Sequence, residues 1–326
     1  MSISREPKVA VVGATGSVGN QLIELIAARG FQLSELKLFA TEGGAMQTVD
    51  AAGEERLVEA LESPAELRGF DIAFLAVPAP RAAEIVAARP GPILIDLSEA
   101  NRSPSDAPMV APGLTSREAI AQLRNAMVFA TPHPVAHVLA TCLKALDARA
   151  GFVAATAMLG ASAGGRDVLT AAVDQTTDLL GARLELEDDE VQRGFNAFMR
   201  EHERSVATAI AAQVTTLLGK APPLFVQVVA IPVLHGSALT VDIQRDGKGN
   251  GDDPVELLRA APGILMAEEG EPLGVIDAVG QEAIVVSIEP RADSIALWCV
   301  FDNTRLAALG ALWIAETLAL SSPSLT

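Results

Sequence analysis

The sequence predicts an α/β fold in two parts: a parallel sheet covered by helices on both faces, then an α+β domain. Three observations predict it. Val9 to Val12 form an apolar run, Gly13, Gly16 and Gly19 follow at three-residue spacing, and Leu22, Ile23, Leu25 and Ile26 then recur with helical period. Short apolar runs alternate with helical stretches up to about residue 130, the pattern of a sheet buried on both sides. Beyond residue 150 longer apolar strands come in succession and read as antiparallel, with helices set to one side.

Strand, glycine turn and helix opening is the geometry of a Rossmann-type dinucleotide site. Gly13 allows the tight turn, Gly16 a close backbone approach, and Gly19 contact between helix and strand. Thr15, Ser17 and Val18 complete the loop, and its backbone N–H groups suit a phosphate. Leu36–Ala40 reads as the second strand. Glu42 follows it, where the adenosine ribose sits in such folds. It either accepts from a ribose 2′-hydroxyl, favouring NAD over NADP, or is a solvated loop acid. Phe70–Val77, Pro92–Asp96, Met109–Ala111 and Met127–Ala130 read as further strands, with helices at Arg81–Ala88 and Ser116–Arg124. Arg102 lies in a loop beyond a strand end. It is either an anion-binding fork or a surface arginine.

Thr131-Pro-His-Pro134 is a strand-to-helix junction, with Pro134 suited to the first helical turn. A catalytic thiolate would belong at such a helix start. Cys142 lies two turns further along and reads as core. In the second half Val153–Leu159 is a strand, Gly160–Gly165 a flexible turn, Arg166–Gly181 a helix and Glu185–Glu190 a solvated acidic run. Ser205–Leu218 is a helix. Phe225–Leu234 and Ser237–Gln244 are expected to pair around His235-Gly236. After a polar loop, Arg245–Asp253, and a short helix at Leu257–Ala261, Glu282–Glu289 and Ser294–Phe301 are strands. Asp302-Asn303 caps the last helix.

Of 326 residues half are hydrophobic and none is tyrosine. No apolar run reaches the roughly 18 residues of a membrane span, and Met1–Lys8 has no signal-peptide core. Two cysteines, Cys142 and Cys299, fit buried thiols of a cytoplasmic protein better than a disulfide framework. The net charge of −17 argues against nucleic acid or an anionic membrane as partner. No His/Cys cluster has metal-ligand spacing, so no metal is expected. Extended apolar strands with few aromatic plugs suggest a face covered by a second subunit, and hence a homodimer.

The order of these features resembles the aspartate-semialdehyde dehydrogenases over essentially the whole chain. The resemblance rests on the Gly13–Gly19 loop and on Asp96-x-Ser98-x-x-x-Arg102. It also rests on Pro272-Leu with Asp277-Ala-Val-Gly280, and on Asp302-Asn303-x-Arg305 before an Ala-rich helix. It implies a glyceraldehyde-phosphate-dehydrogenase-like dimerisation domain. It places the dinucleotide-binding part at residues 1–131 with the helix 303–326, and the catalytic-like part at 132–302. The family oxidises an aldehyde with NADP and phosphate through a cysteine thioester, with a histidine moving the proton. Asn303 would help hold the nicotinamide and Arg102 a small anionic ligand.

The catalytic set departs from that pattern. Pro134 stands at the cysteine position, Ser237 at the histidine position and Ala230 at the substrate arginine. Pro78-Ala-Pro80 replaces paired glycines, Ala161–Gly164 replaces a Ser-Gly-Ala-Gly loop, and no Glu…Lys pair is found around Glu201–Ala212. Loss of one such group costs a factor of about 10² to 10⁴. The chain therefore resembles the family's Usg-like paralogs: fold retained, dehydrogenase reaction lost, with a nucleotide or anion site retained at the glycine loop. The rival reading is an active NAD(P)-dependent oxidoreductase on a small acidic aldehyde or related substrate. It would use His133 or His235 as acid/base, with His235 on the strand face of Ser237. Either histidine alone is more often a satisfied structural residue.

Overall fold

Strand β1 (Lys8–Val12) is apolar at every position after Lys8 because both of its faces are buried. The computed structural model describes residues 5–41, 44, 46–51, 53–98, 107–123, 125–146, 150–187, 190–199, 201–245 and 253–320. The chain divides into two units, Met1–His133 with Ala307–Thr326, and Pro134–Leu306.

In the first unit β1 leads into α1 (Ser17–Ala28) and β2 (Glu35–Ala40). A small antiparallel ribbon follows, β3 (Thr48–Ala51) with β4 (Glu54–Leu57), and then the two-residue β5 (Glu59–Ala60). Next come β6 (Ile72–Leu75), α2 (Ala79–Ala88), β7 (Ile93–Asp96), α3 (Arg117–Gln122) and β8 (Val128–Ala130). The main sheet runs β5-β2-β1-β6-β7-β8, parallel throughout. The two-residue side-chain period splits its core. Val9, Val11, Phe74 and Ile95 pack with Leu22 and Ile26 of α1, while Ala10, Val12, Ala73 and Leu94 pack with Ala82 and Ile85 of α2. Helix α8 (Asn303–Leu320) closes the first of these layers with Ala308, Leu312, Ala315 and Leu318.

The expected strand at Met109–Ala111 does not form. Met109 makes a single parallel bridge to Ala130, because Pro108 and Pro112 flank it and neither has an N–H for a ladder. The β3–β4 ribbon and β5, too short and polar to stand out, carry no such signal in the sequence.

The second unit holds α4 (Pro134–Ala145), β9 (Ala150–Leu159), α5 (Arg166–Leu180), α6 (Glu201–Leu218), β10 (Leu224–Ala230) and β11 (Ser237–Arg245). It continues with α7 (Pro254–Arg259), β12 (Ile264–Met266), β13 (Ile284–Pro290) and β14 (Ser294–Phe301). Its sheet runs β10-β9-β11-β14-β13-β12, mixed rather than antiparallel, since β10 is parallel to β9 and β12 to β13.

The expected pairing of β10 with β11 is corrected: β9 lies between them. The link Ile231–Gly236 steps over the exit of β9, where Leu159 O accepts from Ile231 N at 3.0 Å. There Ala161 and Ser162 donate to Val233 O and Leu234 O at 2.8 and 2.9 Å. Gly160 permits the crossing, because a Cβ there would stand 2.5 Å from Gly236 O. The flexible turn expected after β9 is a 3₁₀ helix, Ala161–Gly164. One sheet face buries Val153, Ala155, Val241, Ile243 and Leu297, while Phe152, Phe225, Gln227 and Asp242 of the other face stay exposed. Among the described residues no helix is long and apolar enough to cross a membrane.

Candidate functional site

The glycine loop is held by backbone. Gly13 N and Ala14 N both donate to Phe39 O, at 2.8 and 2.9 Å, and Gly16 N donates to Gly13 O at 3.0 Å. Gly13 has φ +93°, and a Cβ on it would lie 2.1 Å from Ala76 O. A Cβ on Gly19 would lie 2.1 Å from Gly13 O, so the start of α1 rests on the loop. At Gly16 the nearest neighbour of an added Cβ is Gly13 O, at 3.3 Å. Gly16 caps α1 without a side chain, and the first turn, Ser17, Val18 and Gly19, carries no acid. The positive end of that helix therefore meets no built-in anion. Thr15 is backed by Gly44, where a Cβ would stand 2.6 Å from Thr15 Oγ1. These residues fit a dinucleotide phosphate. Glu42 and Arg102 lie outside the described residues.

Elsewhere in the first unit, Asp96 is buried at the end of β7. Its Oδ1 accepts from Ser98 N at 2.8 Å and Ser98 Oγ at 2.6 Å. Asp96 O accepts from Thr131 N at 3.0 Å. The Asp96-x-Ser98 spacing thus closes a tight turn at the end of β7. His133 is half-buried at the end of this unit.

In the second unit Pro134 is the first residue of α4. It offers neither an N–H nor a nucleophile. Cys142 and Cys299 are both fully buried, with their sulfurs 3.9 Å apart. The hydrogen bond to Cys142, helped by burial, pushes the Cys299 thiol well above its ordinary 9.0. Neither thiol has the exposed, electropositive setting of a reactive cysteine.

Ser237 and Asn303, separate in sequence, come together. Ser237 Oγ donates to Asn303 Oδ1 at 3.2 Å, and Ser162 Oγ donates to the same atom at 3.2 Å. All three are buried. Two hydroxyls committed to the carbonyl oxygen turn the Asn303 amide nitrogen into the donor end of the group. Asp302 caps α8, its Oδ1 accepting from Thr304 N and Arg305 N at 3.0 Å each. Its Oδ2 accepts from Gly280 N at 3.0 Å. One carboxylate therefore ties the Asp277–Gly280 stretch to the start of the helix that carries Asn303.

His235 is not on the strand face of Ser237, which corrects that expectation. It is exposed in a bend before β11, since Gly236 at φ +83° turns the chain between them. The role of Ser162 was not foreseen. Its only signal was the shifted serine in Ala161–Gly164. Among the described residues no cluster of three His, Cys, Asp or Glu could hold a metal.

Comparison with known proteins agrees over nearly the full length. Residues 8–123 match the family model described as semialdehyde dehydrogenase, NAD binding domain. A USG-1 protein homolog of Pseudomonas aeruginosa is 34% identical over 336 residues, covering 97% of this chain and 98% of the relative. An aspartate-semialdehyde dehydrogenase of Rickettsia bellii is 26% identical over 97% of this chain and 98% of its own. Among solved structures, aspartate semialdehyde dehydrogenase II of Vibrio cholerae superposes with TM-score 0.86 at 25% identity, covering 97% of this chain and 98% of that one. A probable aspartate-semialdehyde dehydrogenase of Pseudomonas aeruginosa gives 0.83 at 32% identity, covering 96% and 98%.

Proposed function

We infer the function from one premise: the chain belongs to the aspartate-semialdehyde dehydrogenase family and carries its NAD(P)-binding domain. On that premise the chain is a Usg-like member that binds a nicotinamide nucleotide and does not oxidise aspartate semialdehyde. One observation carries the reading. Helix α4 begins with Pro134 where the relatives' cysteine is expected, while both thiols of the chain are buried against each other.

When bound, the nucleotide would supply hydride chemistry. The N–H groups of the Gly13–Gly19 loop suit its pyrophosphate, and Asn303, fixed by Ser162 and Ser237, suits an amide acceptor on its nicotinamide. Ser237 spends its hydroxyl on Asn303 and has no base beside it among the bonds described. It is therefore a positioning residue and not a replacement for histidine. The negative charge of Glu42 favours NAD over NADP. The exposed strand face bearing Phe152 and Phe225 supports a homodimer.

The test is titration of purified protein with NADH and NADPH by fluorescence, beside an assay of phosphate-dependent aspartate semialdehyde oxidation. Saturable nucleotide binding without turnover is the expected result. Turnover abolished by Cys142→Ala would overturn the reading. Turnover that survives both Cys142→Ala and Cys299→Ala would transfer the case to a histidine-dependent oxidoreductase.

A further inference from the structure

Strand β10 is the last strand of the second unit's sheet, so one of its edges faces no neighbour. The bonds around it tell which groups point there. Pro223 O accepts from Val153 N at 2.9 Å and Ile231 N donates to Leu159 O at 3.0 Å, so the odd-numbered residues bond toward β9. Ala230 instead exchanges bonds of 2.9 and 3.0 Å with Phe198, on the outer side. By the same alternation the N–H and C=O groups of Leu224, Val226 and Val228 point outward. Among the described residues none of these groups has a hydrogen-bond partner.

Proteins blunt such edges with a charge, a proline, a bulge or a very short strand. This edge has none of these. Leu224-Phe-Val-Gln-Val-Val-Ala230 runs for seven residues without charge or proline, in unbroken register with β9. A groove of about 470 Å³ lies along it, between Leu224–Val228 and the α6 residues Arg204, Ala207, Thr208 and Ala211. The small side chains of Ala207, Thr208 and Ala211 share one face of the helix and keep the groove open. Arg204 is exposed, and among the described residues its guanidinium has no ion pair. Glu203 also lines the groove, but it is buried and already has a partner. The open charge of the groove is therefore a cation.

These features describe an occupant. Outward groups at every second residue, over about 13 Å from Leu224 to Val228, match an extended backbone of about five residues. Apolar walls ask for apolar side chains, and Arg204 asks for a carboxylate. The β10 strand of a second copy has no acid to offer, so a self-paired edge would leave Arg204 unanswered. We propose that the β10 edge is a docking site for an extended apolar segment of a partner protein. The segment adds a strand to the sheet and sets an acidic side chain against Arg204. The proposal does not rest on the nucleotide reading.

The experiment uses the full chain and fluorescence anisotropy of a labelled, end-blocked peptide, Glu-Val-Val-Val-Glu, at about 0.15 M salt, where distant charges are screened. An acid at each end meets Arg204 in either strand direction. The peptide binds saturably, at least tenfold more tightly than Lys-Val-Val-Val-Lys or than the same peptide with N-methylated valines. Arg204→Glu weakens it at least tenfold. So does Val226→Pro, which deletes an outward N–H and no bond to β9, a change that edge strands tolerate. Absence of saturable binding overturns the proposal. Equal binding of the lysine or N-methylated peptide does so too, as does binding untouched by Arg204→Glu. Self-association of the chain that Val226→Pro abolishes and the peptide does not displace would give the edge to a second copy, and also overturns it. Should Val226→Pro fail to fold, the peptide series on the unaltered chain decides.

Discussion

Replacing Gly13 by alanine tests the geometry on which the nucleotide reading stands. Two separate costs arise. At φ +93° an L-residue is strained by about 1–2 kcal/mol, offset by about 0.4–1 kcal/mol of lost unfolded-state freedom. The new Cβ would also lie 2.1 Å from Ala76 O and 2.7 Å from Ala76 C. Both are backbone atoms, and Ala76 N already donates to Val12 O at 2.8 Å, so the neighbour cannot retreat without loosening the β1–β6 ladder. Overpacking of this kind costs about 1–3 kcal/mol. The sum is about 3 kcal/mol, or roughly 6–12 °C in Tm at about 2–4 °C per kcal/mol. Gly30→Ala supplies the control: φ is +60° and no heavy atom lies within 4 Å of the added Cβ. Only the conformational part remains, about 1 kcal/mol and roughly 2–4 °C. Urea denaturation and thermal melts of the two variants give the comparison. Equal shifts would refute the argument, because the close approach of Ala76 would then carry no energy.

Three further outcomes follow from the second unit. Asp302→Ala removes a helix cap and leaves Gly280 N without its acceptor, so urea denaturation should show a loss of about 2–4 kcal/mol. Because the folded Cys299 thiol holds its proton above pH 9.0, its contribution is complete below the unfolded pKa and is lost as pH rises from there toward the folded value. Stability should therefore fall by up to about 1.4 kcal/mol per pH unit in that window. Denaturation at pH 8 and pH 10 should show a smaller drop for Cys299→Ala than for the parent, and an equal drop would count against the bonded pair. Ser237→Ala should weaken NADH binding several-fold while costing only about 1 kcal/mol of stability, since Ser162 still holds Asn303. Unchanged affinity would remove Ser237 from the site.

The first unit was legible because its signals are local. The apolar runs of β1, β6 and β7 are buried on both faces, and the glycines between β1 and α1 sit where backbone meets backbone. What failed was non-local. Nothing in Phe225–Gln244 says that β9, some seventy residues earlier, will come between its two strands. A six-residue link reads like a hairpin loop unless the crossing at Gly160 is known. Met109–Ala111 misled because composition gave a strand where flanking prolines deny it a ladder. At the site, Pro134 and Ser237 could be named from position alone. The partnership of Ser162, Ser237 and Asn303 could not, since it joins three segments up to 141 residues apart.

The closing helix of the first unit has a consequence for synthesis. Ala308, Leu312, Ala315 and Leu318 belong to the same apolar layer as Val9 and Leu22, yet about 170 residues of the second unit are translated before them. At about 5–20 residues per second the ribosome takes roughly 10–35 s over that stretch. Through that interval the nascent glycine-loop segment stands with one flank bare. A chaperone that shields it should raise the yield of folded protein.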